Sequence, residues 1–201
     1  MAKKRKRTRK SSVTSRHQKK SRSTDRIRKL KALGLAFLMM VVILVGVGSL
    51  FFSFGKMTGY SMMPEVSNGD VLVIAKQQPK RFELIYLKTP NKTNERSVRR
   101  VIGVPGDEIY YQDDQLFVNG QGKSERYLNN RKAELVEGYL TADFTLEELT
   151  GKSRVPSGYY FVLGDNRQAA TDSREYQFVK QSEIIGIVTT RIYPLDTIKN
   201  Y

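Results

Sequence analysis

Apolar positions along this chain follow two regimes. From Ala32 to Phe54, 23 consecutive positions carry no charged side chain and are rich in Leu, Val, Ile, Met and Phe. At a rise of ~1.5 Å per residue this stretch spans roughly 35 Å as a helix, enough for a hydrocarbon core of about 30 Å, so a transmembrane helix is predicted over residues 32–54. After Phe54 the apolar positions come in short runs separated by turn residues, the pattern of strands. Val71–Ala75 follows Asn68-Gly69-Asp70, Leu84–Leu87 is a second run, and Val98–Val104 ends at Pro105-Gly106-Asp107. Ile109–Tyr111 and Leu116–Val118 flank Gln112-Asp113-Asp114-Gln115 and read as a hairpin, and Asn119-Gly120 turns the chain again. Tyr159–Leu163 and Ile184–Ile192 are the last two predicted strands. Residues 55–201 are therefore expected to form a mainly antiparallel β domain. Residues 123–152 are polar. Ala133–Val136 and Thr145–Leu149 favour short helices there, so an exposed insertion is expected. There is no internal repeat.

Charge changes the picture by being confined. Residues 1–31 hold 15 of the 35 Lys and Arg against one acid, Asp25, leaving 20 bases and 19 acids for the rest. This tail is nearly free of apolar residues before Ile27 and is expected to be disordered. Bases beside a span hold that side in the cytoplasm and attract anionic lipid, at ~1 kcal/mol per base near the surface. Residues 1–31 are thus read as a cytoplasmic tail, 32–54 as the anchor in the cell membrane and 55–201 as an extracellular domain. A nucleic-acid role is disfavoured, because the tail lacks interleaved aromatics for stacking. The apolar stretch exceeds a signal-peptide core of 7–15 residues, and Phe51-Phe52-Ser53-Phe54-Gly55-Lys56 is a poor cleavage site. Without cysteine there are no disulfides and no thiolate metal sites.

Three motifs in the outer domain carry the chemistry. Gly59-Tyr60-Ser61-Met62-Met63-Pro64 lies just beyond the span; Arg99-Arg100-Val101-Ile102-Gly103-Val104-Pro105-Gly106-Asp107 closes a strand; Gly164-Asp165-Asn166-Arg167 is followed by Asp172-Ser173-Arg174. Each is unremarked alone, but their order and spacing after one anchor resemble the bacterial type I signal peptidases of Gram-positive type, peptidase family S26. The resemblance runs from the anchor to Tyr201. It implies a membrane-anchored serine endopeptidase of mainly antiparallel β fold with a Ser/Lys dyad. No metal or cofactor is implied, and the partners are signal-peptide-bearing preproteins. Ser61 matches the nucleophile, and its N–H is expected to help bind the oxyanion. Gly59 stands where some members place a hydroxyl donor. Met62 and Pro64 complete that motif, and Arg100, Asp165, Arg167, Asp172 and Arg174 match a supporting ion-pair set.

The sequence departs from the family at the base. Arg99 occupies the position of the family's lysine, and a guanidinium keeps its proton at ordinary pH. Ala170 replaces the hydroxyl that orients that lysine, and Glu65 stands where a Thr is usual. The only histidine, His17, is in the tail. Lys56, Lys76, Lys88, Glu65 and Asp172 are the alternative bases. Two functions follow from the resemblance: a signal peptidase with an altered dyad, or a peptidase-like factor that binds peptides without turnover and assists secretion or pilus assembly.

Overall fold

The computed structural model describes residues 14–201, with side chains from Arg28 onward, and the chain divides into two units at Ser49 and Leu50. The first unit is helical. Helix α1 runs Thr14–Phe51, and its segment Arg28–Phe51 is long and apolar enough to cross a membrane. The helix ends three residues before the expected boundary, because Phe52–Lys56 forms strand β1. It also begins inside the tail expected to be disordered. Lys, Arg and Gln are good helix formers, and a nucleated apolar helix extends through them at little cost. Disorder of residues 1–13 is an expectation that lies outside the described residues.

The second unit is antiparallel β. Strands β2 (Val71–Ala75), β3 (Leu84–Lys88) and β4 (Arg96–Gly103) are followed by β5 (Ile109–Gln112), β6 (Gln115–Val118) and β7 (Gln121–Lys123). Helix α2 (Asn129–Glu134), strand β8 (Phe144–Thr145), helix α3 (Leu146–Thr150), strand β9 (Tyr159–Leu163) and helix α4 (Ser173–Tyr176) come next. Strands β10 (Val179–Lys180), β11 (Ile184–Tyr193) and β12 (Lys199–Asn200) complete the unit. An eight-stranded half-barrel sheet has the order β1-β2-β11-β3-β4-β9-β10, with β12 on β11, and a four-stranded sheet has the order β7-β6-β5-β8. This is the mainly antiparallel fold the apolar runs predict. The β5–β6 hairpin turns at Asp113 and Asp114, both at positive φ, as a two-residue turn between right-twisted strands requires.

Strand β4 is central and buried on both faces from Ser97 to Gly103, so Arg99 and Arg100 are enclosed along with its apolar residues. Val98 packs with Met57, Met62, Leu72 and Ile74 on one face, and Val101 packs with Ile85, Leu87 and Val162 on the other. At its end the chain approaches its neighbours closely. A Cβ placed on Gly103 would fall 2.1 Å from Ile109 Cδ1 and 3.0 Å from Val155 Cγ2.

Residues 123–152 differ from the expected exposed insertion. Leu128, Leu140, Thr141, Phe144, Leu146 and Glu125 are buried, because this segment covers the second sheet and a buried arginine. Helix α3 starts as expected, with Thr145 and Glu148 forming a reciprocal cap. Helix α2 ends at Glu134 rather than covering 133–136, and Leu135 is extended.

Candidate functional site around Ser61

Ser61 sits in the turn after β1 and is half-buried. Met62 anchors this turn from the apolar core, fully buried against Met57, Val66 and Leu72. The Met63–Pro64 peptide is cis. Asn166 ties the turn to the loop after β9: its N–H donates to Ser61 O (2.9 Å) and its Nδ2 to Tyr60 O (3.2 Å). The Gly59 N–H donates to Asn68 Oδ1 (3.0 Å). Among the described residues the N–H and Oγ of Ser61 have no hydrogen-bond partner. An attacking hydroxyl and an oxyanion donor are therefore both available there.

The loop after β9 meets Ser61 at Gly164. A Cβ on Gly164 would fall 2.6 Å from Ser61 O and 2.4 Å from the Ala170 Cβ, so no side chain fits between the two segments. This brings Ala170 beside the Ser61 turn. An alanine there offers no hydroxyl.

Arg99 and Arg100 are adjacent on β4 and face opposite sides of the sheet, as pleating dictates. Arg100 Nε and Nη2 grip Asp165 Oδ1 and Oδ2 at 2.8 and 2.5 Å, its Nη1 donates to Phe82 O, and its guanidinium lies 3.9 Å from the Tyr127 ring centroid. Burial pushes the Asp165 carboxyl above its ordinary range, and the Arg100 guanidinium pulls it back. Arg99 is 4% exposed. Its Nε and Nη2 donate to Thr171 O at 3.0 and 2.6 Å and its Nη1 to Val98 O at 2.6 Å. It forms no ion pair and no hydrogen bond to Ser61 among the described residues. The Tyr176 hydroxyl is enclosed beside it, outside hydrogen-bond geometry. Burial raises that phenol well above its usual range, against the Arg99 charge.

Among the described residues none of the alternative bases hydrogen-bonds to Ser61, and two of them are engaged with other partners. Asp172 is fully buried, accepts from the Gly164 N–H (2.9 Å) and is gripped by Arg174 Nε and Nη2, both at 2.8 Å. Arg174 thus pairs with Asp172, while Asp165 belongs to Arg100. Glu65 pairs with Lys199 at 2.7 Å. Lys76 lines a separate cleft with Pro79 and Gln181. Lys56 and Lys88 make no hydrogen bond to Ser61.

Arg167 is the residue whose role local pattern hides. It is fully buried, and its Nη2 meets Glu125 Oε1 at 2.5 Å while its Nη1 donates to the Tyr111 hydroxyl (2.8 Å) and Thr141 Oγ1 (2.9 Å). The hydroxyls of Tyr111 and Tyr127 also donate to Glu125 Oε1, at 2.8 and 2.6 Å. Burial holds both phenols well above their usual range. Nothing near Glu125 in the sequence marks it; the only hint is that Leu128 and Leu140 are apolar within a polar stretch.

Known proteins resemble this chain in sequence and fold. Residues 30–193 match the signal peptidase, peptidase S26 family. The chain is 48% identical over 141 residues to signal peptidase I of Bacillus caldolyticus, covering 68% of this chain and 76% of that protein. It is 36% identical over 160 residues to signal peptidase I V of Bacillus subtilis, covering 77% and 94%. A crystal structure of a signal peptidase I from Enterococcus faecalis superposes with a TM-score of 0.55 at 42% identity, covering 57% of this chain and all of that one. With the family model matched over most of its length and the half-barrel sheet shared with a solved relative, this chain belongs to the S26 signal peptidase family.

Proposed function

We propose that this protein is a membrane-anchored serine endopeptidase of the signal peptidase I type, which removes signal peptides from exported preproteins. The basic tail lies in the cytoplasm beside anionic lipid, the segment ending at Phe51 is the anchor, and the β unit works on the outer face. The observation that carries this reading is Ser61, whose hydroxyl and N–H are both free in a turn fastened to two sides of the fold. Attack by Ser61 Oγ on the scissile carbonyl, with the oxyanion at the Ser61 N–H, would break the C–N bond, the new amine taking a proton from water; a second water would then hydrolyse the acyl-enzyme ester, freeing the signal peptide as a carboxylate and restoring the Ser61 hydroxyl. Arg99 cannot take the hydroxyl proton. That proton leaves to water and turnover is slow.

The engagement of Arg99 with two carbonyls, together with Ala170, favours a second reading: a peptide-binding factor without turnover that serves secretion or pilus assembly. One experiment separates them. The full chain in detergent is incubated with a signal-peptide-bearing preprotein, alongside Ser61→Ala, Arg99→Lys and Arg99→Lys/Ala170→Ser. Slow cleavage lost in Ser61→Ala supports the peptidase, and the double variant is expected to gain up to ~10²–10⁴ in rate by restoring an oriented base. Binding without cleavage supports the second reading. Cleavage that survives Ser61→Ala refutes the assignment of Ser61.

A further inference from the structure

Beside the Ser61 turn lies an open cleft of ≈ 720 Å³, walled by Lys56, Thr58 and Gly59 on one side and Asn94, Glu95 and Arg96 on the other. The walls are one hydrogen bond apart, Thr58 Oγ1 donating to Arg96 O at 3.1 Å, and the Tyr86 hydroxyl reaches Lys56 O at 3.4 Å. Gly59 lines the cleft and is two residues from Ser61, so the cleft opens next to the Ser61 turn. A smaller cleft of ≈ 300 Å³ shares Asn94, Glu95 and Arg96 and adds Lys88 and Lys92. Arg96 and Lys88 are directly opposed across β3 and β4, hence on one face of the sheet.

The charges here do not balance. Four cations, Lys56, Lys88, Lys92 and Arg96, surround one carboxylate, Glu95, which Lys92 already holds at 3.1 Å. Among the described residues Lys56, Lys88 and Arg96 have no ion-pair partner. Like charges facing each other across paired strands are unfavourable, so the Lys88–Arg96 juxtaposition does not stabilise the sheet. Its complement is an anionic chain.

We propose that this basic cleft selects acidic side chains in the polypeptide passing Ser61, with Lys56 and Arg96 as the specificity-determining residues. The inference rests on the reading of the Ser61 turn as a peptide-processing site. Because both cations are exposed, the selection is a matter of a few-fold and is sensitive to salt.

The test uses the full chain in non-ionic detergent and three fluorescent peptides spanning one signal-peptide cleavage junction. They differ only in acidic, neutral or basic residues flanking the cleaved bond, and binding is read by anisotropy at low and high salt. At low salt the acidic peptide is expected to bind about threefold to tenfold tighter than the neutral one, and the basic peptide weaker than both. In Lys56→Gln/Arg96→Gln and at high salt the acidic-to-neutral ratio should fall to about one, and Lys56→Glu/Arg96→Glu should invert the order, with melting curves confirming that each variant is folded. Equal binding of the three peptides at low salt overturns the charge selection while peptide binding stands. No binding by any of them overturns the peptide-site reading and this inference with it.

Discussion

Glu125→Ala is the sharpest test of the scaffold beneath the site. The carboxylate is 1% exposed and its partner Arg167 is fully buried. Removing it takes the acceptor from Arg167 Nη2 and from the hydroxyls of Tyr111 and Tyr127. Arg167 keeps Thr141 Oγ1, Gly164 O and the Tyr111 and Tyr127 hydroxyls, but its charge is left uncompensated. Breaking one side of a buried pair costs about 3–5 kcal/mol. For a domain of this size each kcal/mol shifts Tm by roughly 2–4 °C, so a fall of about 6–20 °C is expected. The assay is thermal unfolding in detergent followed by near-ultraviolet circular dichroism of the tyrosines, since the chain has no tryptophan. Glu134→Ala is the control: that carboxylate is 68% exposed and 3.8 Å from Arg131, and its loss should move Tm by no more than a degree or two. Arg167→Met combined with Glu125→Ala should recover part of the loss, because the stranded charge is gone. If Glu125→Ala melts with the wild type, the Arg167 cluster does not hold the fold.

Three further outcomes are expected. Gly164→Ala would set a Cβ 2.6 Å from Ser61 O and should push that carbonyl away and strain its bond from Asn166, lowering Tm by several degrees and weakening peptide binding; an unchanged Tm and peptide affinity would show that the two segments separate freely. Burial raises Tyr111 and Tyr127 well above the usual phenol range and Tyr201 to about 12. Unfolded tyrosines ionise near ~10, so the folded state holds more protons above that pH; stability should be full below ~10 and fall as pH rises through the folded values, with tyrosinate absorbance lagging until unfolding. Protease added outside protoplasts should degrade the β unit and spare a tag on Met1; loss of the tag with survival of the β unit would reverse the proposed orientation.

The strands were legible because each apolar run is bounded by its own turn residues. Val71–Ala75 and Tyr159–Leu163 match β2 and β9 residue for residue, since burial and turn chemistry there are local. The site was legible in its motifs but not in its wiring. Arg99 and Arg100 look equivalent in a row of letters, and only the pleat sends one to Asp165 and the other to Thr171 O. Glu125 was not legible at all. Its partner is 42 residues away, and a lone acid in a polar stretch reads as solvated until the fold encloses it. The start of α1 was missed for a different reason: charge density argues for disorder, while the propensity of the same residues favours a helix.

Strand β4 reads Val98-Arg99-Arg100-Val101, nearly the same in both directions, and this makes its alignment a matter of discrimination between close alternatives. A one-residue slip would carry Arg99 into the place of Arg100, where it could still meet Asp165, so that ion pair does not choose the register by itself. The same slip would bring Ile102 into the place of Gly103, where even a Cβ would lie 2.1 Å from Ile109 Cδ1. It would also bury Arg100 in the apolar site of Val101. Gly103 therefore acts as a positional key: the absence of a side chain at the end of the strand fixes which of two identical residues stands on the side of Thr171. The chemical identity of the site is set in part by an atom that is missing four residues along the strand from Arg99.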